Sequence, residues 1–247
     1  MSWETKREES VITRSGDAVQ IDEGLRKYML QVYNYMTIGL LITAFVSYFL
    51  AHSSLSSVFY HVSRESVELT ITGWIAILSP FALIFMMQNA ISNGKGSTAF
   101  MLFCAFSVLE GISLTTIFWV YSPMAITRTF LVTAGTFAGM SLYGYTTKRD
   151  LTRFGSFLIM GLWGLVLAML ANIFFIRSSS FDLTLSCLGV LLFVGLTAFD
   201  TWKIRNIYNE NDAENVMTSK AVFGALDLYL DFLNLFLYLL RLFGRKD

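Results

Sequence analysis

AVFGALDLYLDFLNLFLYLLRLF, residues 221–243, is long and apolar enough to cross a bilayer, for which about 20 mostly apolar residues suffice. Yet Asp227 and Asp231 sit inside it, four residues apart and so on one helix face. Asn234 and Tyr238 continue that stripe, while Tyr229 lies on another face. An aspartate near the centre of a membrane helix costs about 2.5–3.5 kcal/mol on insertion scales. Such residues face a bundle interior or a water-filled path. The stretch therefore reads as a central helix with its polar stripe turned toward protein.

The rest of the chain agrees with a membrane setting. Of 247 residues, 55% are hydrophobic and 15% charged, where a soluble domain is closer to a quarter charged. Six further apolar spans precede the last, at about 32–51, 69–87 (with Pro80 inside), 99–121, 127–145, 154–176 and 183–202. The expected fold is an all-α polytopic membrane protein with seven transmembrane helices. Residues 1–27 are polar, mix both charge signs and lack the apolar core of a signal peptide. The chain thus divides into a polar cytoplasmic tail, 1–27, and a seven-helix transmembrane domain, 28–247. A short amphipathic helix near 21–29 is compatible with the tail. The Ser-rich start of the 53–68 loop reads as flexible.

Orientation follows from the basic flanks. Lys6, Arg7, Arg14, Arg26, Lys27, Lys95, Lys148, Arg149, Arg153, Lys203, Arg205 and Lys220 fall on one side. Arg64, Arg128, Arg177, Arg241, Arg245 and Lys246 fall on the other. The N-terminus is therefore expected in the cytoplasm and, with seven crossings, the C-terminus outside, against the local pull of its three basic residues. Arg128, Arg177 and Arg241 at span ends are expected to snorkel. Tyr143 and Tyr145 fit an interfacial belt.

Several function classes fall away. Net charge is zero, so overall charge makes no case for nucleic acid. Cys104 and Cys187 lie in apolar runs and read as small buried hydrophobes, without a CxxC motif. His52 and His61 lie in or beside one loop, so no helix-borne HExxH metal site exists, and the identity of any metal is unknown. GxSxG is absent, and the last span has no Lys for a Schiff base. The chain does not read as an enzyme and calls for no cofactor. Gly135 and Gly139 form GxxxG in span four, and Gly161 and Gly164 sit together in span five, where small residues permit close helix contact.

What remains is the buried acids. Asp200, in GLTAFDTWKIRN, lies near the end of span six from which the chain re-enters with Asp227 and Asp231. Thr197 shares its face. An Asp200–Asp231 contact is geometrically reasonable. Two carboxylates held close at low dielectric share one proton, so the pair would act as a proton-operated latch or cation-path site. The alternative is that each Asp satisfies local hydroxyls or backbone and only fixes packing. Glu110, mid-span in SVLEGISL, is a further candidate, since carboxylate oxygens suit Ca²⁺; it could equally bond Ser107, Ser113 or a neighbouring helix.

At these residues a resemblance becomes specific. ALDLYLDFLNLFLYLLRLFG looks like the closing helix of the Bax inhibitor-1, or transmembrane Bax inhibitor motif, family. AFDTWKI resembles that family's sixth-helix ending, with Phe199 and Trp202 as departures, and SLYGYTTKRDLTRFGSFLIMGLWGL resembles its bacterial branch. The resemblance implies six helices wrapped around the last and a pH-sensitive Ca²⁺ leak in the bacterial inner membrane, gated by Asp200 and Asp231. Ca²⁺ would be the permeant ion, with Asp227 and Glu110 as ion-path candidates. Family members can carry a basic residue near the second helix that locks the closed form; here that region has Gln88 and Asn89. The family's bacterial members are also linked to a membrane protease, so the alternative function is a regulator that binds and restrains such a protease or a stress factor. The oligomeric state is left open.

Overall fold

The structure, a computed structural model, describes residues 3–62 and 67–244. Helix α1 runs Trp3–Ala51 without a break at the polar–apolar boundary, and its apolar part spans Glu23–Ala51. A short helix α2 (Ser56–Phe59) leads into strands β1 (Tyr60–Val62) and β2 (Val67–Leu69). Then follow α3 (Ile71–Ser92), α4 (Gly96–Ser113), a 3₁₀ turn (Leu114–Thr116) with α5 (Ile117–Val120), and α6 (Pro123–Thr146). Helix α7 (Thr152–Ala171) ends in a π turn at Asn172–Ile176. The chain closes with α8 (Ser179–Asn206) and α9 (Glu214–Phe243).

Local chemistry sets the ends. Ser122 and Ser178 accept the backbone N–H groups of Ala125 and Phe181, capping α6 and α8, and Pro123 opens α6 where its missing N–H costs nothing. Thr70 caps α3 by accepting from Gly73 N at 3.0 Å. Pro80 removes one helical donor from inside α3, and Ser79 Oγ donates to the Ala76 carbonyl at 3.0 Å in its place. Arg177, at φ 51°, reverses the chain between the π turn and α8, with Ser178 N–H donating to Asn172 Oδ1.

Helix α9 is the axis. Within its apolar window 72% is inside the bundle, against 11% for α7 and its π turn. Helices α8, α1, α4, α6 and α3 pack directly on it, whereas α7 stands one layer out, mainly on α8. The outward surfaces are apolar too, with Phe45, Ile71, Phe85 and Phe175 70–84% exposed, as a lipid-facing shell requires. Among the described residues, six helices are long and apolar enough to cross a membrane. The expected fourth span lies in α6, which has the length but whose Thr127, Arg128, Thr129, Thr133, Thr136 and Ser141 keep it outside those six. Several observed helices overrun the expected spans: α1 begins far before residue 32, and α9 starts two turns earlier than residue 221. The third span tightens to a 3₁₀ turn at Leu114–Thr116 but runs as one stretch, Gly96–Val120.

Several expectations need correction. The Ser-rich start of the 53–68 loop is not slack: Ser53 and Ser54 carbonyls accept the Ser56 and Ser57 hydroxyls. The segment beyond it forms a ribbon pairing Tyr60 with Leu69. Tyr60 fastens that ribbon, its O–H donating to the Ile112 carbonyl at 2.7 Å and its ring set edge-on to Trp119; burial pushes its phenol up to about 12. Cys187 is exposed and Cys104 half-buried, so the two thiols do not both lie in the core. Arg241 does more than snorkel, pairing with Asp182 at 3.8 Å across α9 and α8.

Glycine divides in two. A Cβ on Gly144 would stand 2.2 Å from the Ala198 carbonyl, and one on Gly111 2.9 Å from that of Thr43, so these glycines let helix backbones touch. Gly135, Gly139 and Gly164 have nothing within 4 Å, so the GxxxG of α6 faces outward and serves no contact inside the chain; Gly161 alone of its pair is packed, against Leu192. Gly144→Ala is therefore expected to lower the apparent unfolding temperature in detergent, by a destabilisation of about 1–3 kcal/mol. Gly135→Ala should leave it unchanged or raise it, since Ala favours helix by up to about 1 kcal/mol. Equal loss from both would contradict this packing.

Candidate functional site

Three of the four predicted acids converge where α8 and α9 run antiparallel, joined by the short connection 207–213. Asp231 is 4% exposed and lies past the middle of α9. Asp227 lies one turn nearer the connection, and Asp200 comes from the last two turns of α8. The carboxyl groups of Asp200 and Asp231 face each other across the two helices, close enough to interact. Asp231 Oδ2 is buried and meets no protein donor. A hydrogen bond between two carboxyls requires a proton on one of them, since both carboxylates are acceptors only.

A fourth member was missed. Lys203 Nζ donates to Asp227 Oδ2 at 3.0 Å and lies 3.8 Å from Asp200 Oδ1. Its ammonium also stands 4.8 Å from the centre of the Phe223 ring. The signal was present, because Lys203 follows Asp200 by three residues and so shares its helix face; it was read only as a flanking charge that sets orientation. Half-buried Lys203 thus holds a positive charge between Asp200 and Asp227, while Asp231 lies deeper in the bundle, beside Asp200. Among the described residues no group of three or more His, Cys, Asp or Glu is arranged to hold a metal ion.

The end of the site nearest the connection is closed by aromatic rings. Tyr28 of α1, 1% exposed, packs beside Tyr208 with ring centres 5.6 Å apart, and Asp212 of the connection pairs with Lys220 at 2.5 Å. On the far side of Asp231, Phe232 is flanked edge-on by Phe130 and Phe137 of α6.

The other expected residues lie elsewhere. Glu110 is half-buried on α4 near Tyr229, on another side of α9 from the aspartates, and bonds neither Ser107 nor Ser113, whose hydroxyls donate to Phe103 and Leu109 carbonyls. Asn234 donates to the Leu230 carbonyl of its own helix at 2.8 Å. Tyr238 packs its ring over Gly189 and donates to Met169 Sδ at 3.1 Å, reaching α7. Thr197 donates to the Phe193 carbonyl and not to Asp200. Gln88 and Asn89 are exposed on α3, so neither stands over the aspartates.

Two hydroxyl networks were also unforeseen. Tyr229, fully buried, shares a 2.6 Å hydrogen bond with Thr43, whose hydroxyl also reaches the Ser107 carbonyl, tying α9 to α1 and α4. Tyr33, Ser141 and Thr201 form a second chain, at 2.5 and 3.0 Å, tying α1 to α6 and α8.

This arrangement can be set beside known proteins. A family model described as inhibitor of apoptosis-promoting Bax1 matches residues 25–247. Inner membrane protein YbhL of Escherichia coli (strain K12) is 43% identical over 239 residues, covering 94% of this chain and 97% of its own length. An uncharacterized protein of Borreliella burgdorferi is 42% identical over 223 residues, 89% of this chain and 92% of its own. Uncharacterized protein RP147 of Rickettsia prowazekii is 38% identical over 235 residues, 95% and 96% respectively. A matching family model over nearly the whole chain, and relatives of this likeness along its length, lead to one conclusion: the chain belongs to the Bax inhibitor-1 family of membrane proteins.

Proposed function

We propose that the chain is a pH-sensitive cation leak of the bacterial inner membrane, Ca²⁺ preferred, crossing seven times with its N-terminus in the cytoplasm and its C-terminus outside. The observation that carries the reading is the Asp200–Asp231 contact, with Asp231 Oδ2 buried and without a donor. While one proton is held between the two carboxyls, α8 and α9 are bonded. When it leaves, two negative charges face each other at low dielectric, where like charges repel strongly. That repulsion loosens α9, the helix on which the others lean, and frees the carboxylates to meet a cation. Lys203 restrains the opening by compensating Asp227 and Asp200. Asp227 and Glu110 are the further candidates along the path. The family match supports the membrane role, and the name of the Escherichia coli relative supports the inner membrane.

The second reading is a membrane regulator that binds and restrains a protease or stress factor. The outward Gly135–Gly139 face, open to a neighbouring helix, favours it. Stoichiometric capture of a protease by crosslinking in native membranes, with no ion flux after reconstitution, would select it.

Purified protein in liposomes is expected to pass Ca²⁺ faster as pH rises, because loss of the shared proton opens the latch. Asp231→Asn supplies a donor that cannot titrate, and should give a low, pH-independent flux. A mutant profile that still follows pH would reject the latch. The Lys203–Asp227 pair is tested by a double-mutant cycle on thermal stability with Lys203→Met and Asp227→Asn. For a pair this exposed the expected coupling is about 1 kcal/mol, and strict additivity would remove Lys203 from the site.

A further inference from the structure

Helices α1 and α6 are neighbours that hardly touch. Between them lies a groove of about 460 Å³ whose walls are two matching faces. From α1 come Arg26, Leu30 and Tyr33, and from α6 come Ser141, Leu142 and Tyr145, each set spaced as one side of a helix. The groove opens sideways, since Leu30 and Leu142 are 52% and 63% exposed. Its lining is almost wholly apolar, the Tyr33 hydroxyl being turned to Ser141 Oγ, which meets Thr201.

One end of the groove is cationic. Arg26 is exposed at its rim and has no ion-pair partner among the described residues. Lys27 follows it, and Lys148 and Arg149 follow the end of α6 at the same level. Arg205 is already committed, donating to the Tyr145 and Thr147 carbonyls, where a cation suits a helix C-terminus. That contact fixes Tyr145 at the mouth. The groove thus offers an apolar wall toward the hydrocarbon and, at one end, a guanidinium with no ion-pair partner among the described residues.

We propose that this groove binds one anionic phospholipid, its phosphate on Arg26 and its acyl chain along the Leu30 and Leu142 walls. A zwitterionic lipid carries its own cation beside the phosphate and gains less from Arg26. A free phosphate has no chain to fill the apolar part. The occupant lies against Ser141, whose hydroxyl meets buried Thr201, next in sequence to Asp200, so it bears on α8 through that one bond. Binding does not depend on the leak and is read without flux.

The test is native mass spectrometry of the full chain in detergent, titrated with palmitoyl-oleoyl phosphatidylglycerol, with the phosphatidylcholine of the same chains, or with glycerol 3-phosphate. One phosphatidylglycerol should be retained about fivefold more tightly than phosphatidylcholine, the gain of roughly one basic residue at a membrane surface. Arg26→Gln should bring it to the phosphatidylcholine level. Ala138→Trp, at an exposed position inside the groove, should weaken retention of both lipids. Equal retention of the two lipids, wild-type behaviour of either variant, or equal competition by glycerol 3-phosphate would each overturn the assignment.

Discussion

A carboxylate inside a bilayer must find protein, water or a proton, and Asp231 finds Asp200. That requirement explains why α9 is the axis rather than a peripheral span. Its apolar residues would be as well solvated by lipid tails as by other helices, so hydrophobicity alone would not centre it. The polar side chains do. Asp231 and Asp227 demand α8, Tyr229 demands α1 and α4, and Tyr238 reaches across α8 to α7. Each face of α9 that carries a polar group is matched by a helix able to answer it. The lipid-facing helix α7 carries no buried carboxylate and stands outermost.

The same logic runs through the shell at lower cost. Buried Thr and Ser hydroxyls mostly donate to the carbonyl one turn back on their own helix, as Thr133, Thr197 and Ser107 do. Only a few are spent between helices. Those few, Thr43 and Ser141, sit where three helices meet, so a single hydroxyl fixes the mutual depth of all three. Close approach is then supplied by glycine, at Gly111 between α1 and α4 and at Gly144 between α6 and α8.

Much of this was legible in the chain. Long apolar runs announce membrane helices because a bilayer fixes their length, and two aspartates four apart in such a run announce an interior face. The pairing of Asp200 with Asp231 followed from a short connection between two antiparallel helices. What was not legible depends on partners distant in sequence. Lys203 looked like any flanking charge until Asp227 was seen opposite it. Gly135 and Gly144 are alike in composition and context, yet only the position of α8 separates a packed glycine from an idle one. Glu110 illustrates the converse, an acid of the right type and depth set on another side of the axis. The ends of spans were underestimated because helices continue past the apolar run into the polar layer, as α9 does from Glu214.

The central position of α9 carries a consequence for biogenesis. It is the last of these helices to leave the ribosome, yet its neighbours include α1, the first. Until it arrives, Thr43, Asp200 and Lys203 lack the partners that α9 supplies, Tyr229, Asp231 and Asp227, and the shell surrounds an unfilled slot lined with polar groups. The earlier helices must therefore wait in a loose, insertion-competent association, and their final depth is set only once α9 has joined them. A nascent bundle stalled before that moment displays charge within the bilayer, which is the feature that membrane quality control can recognise.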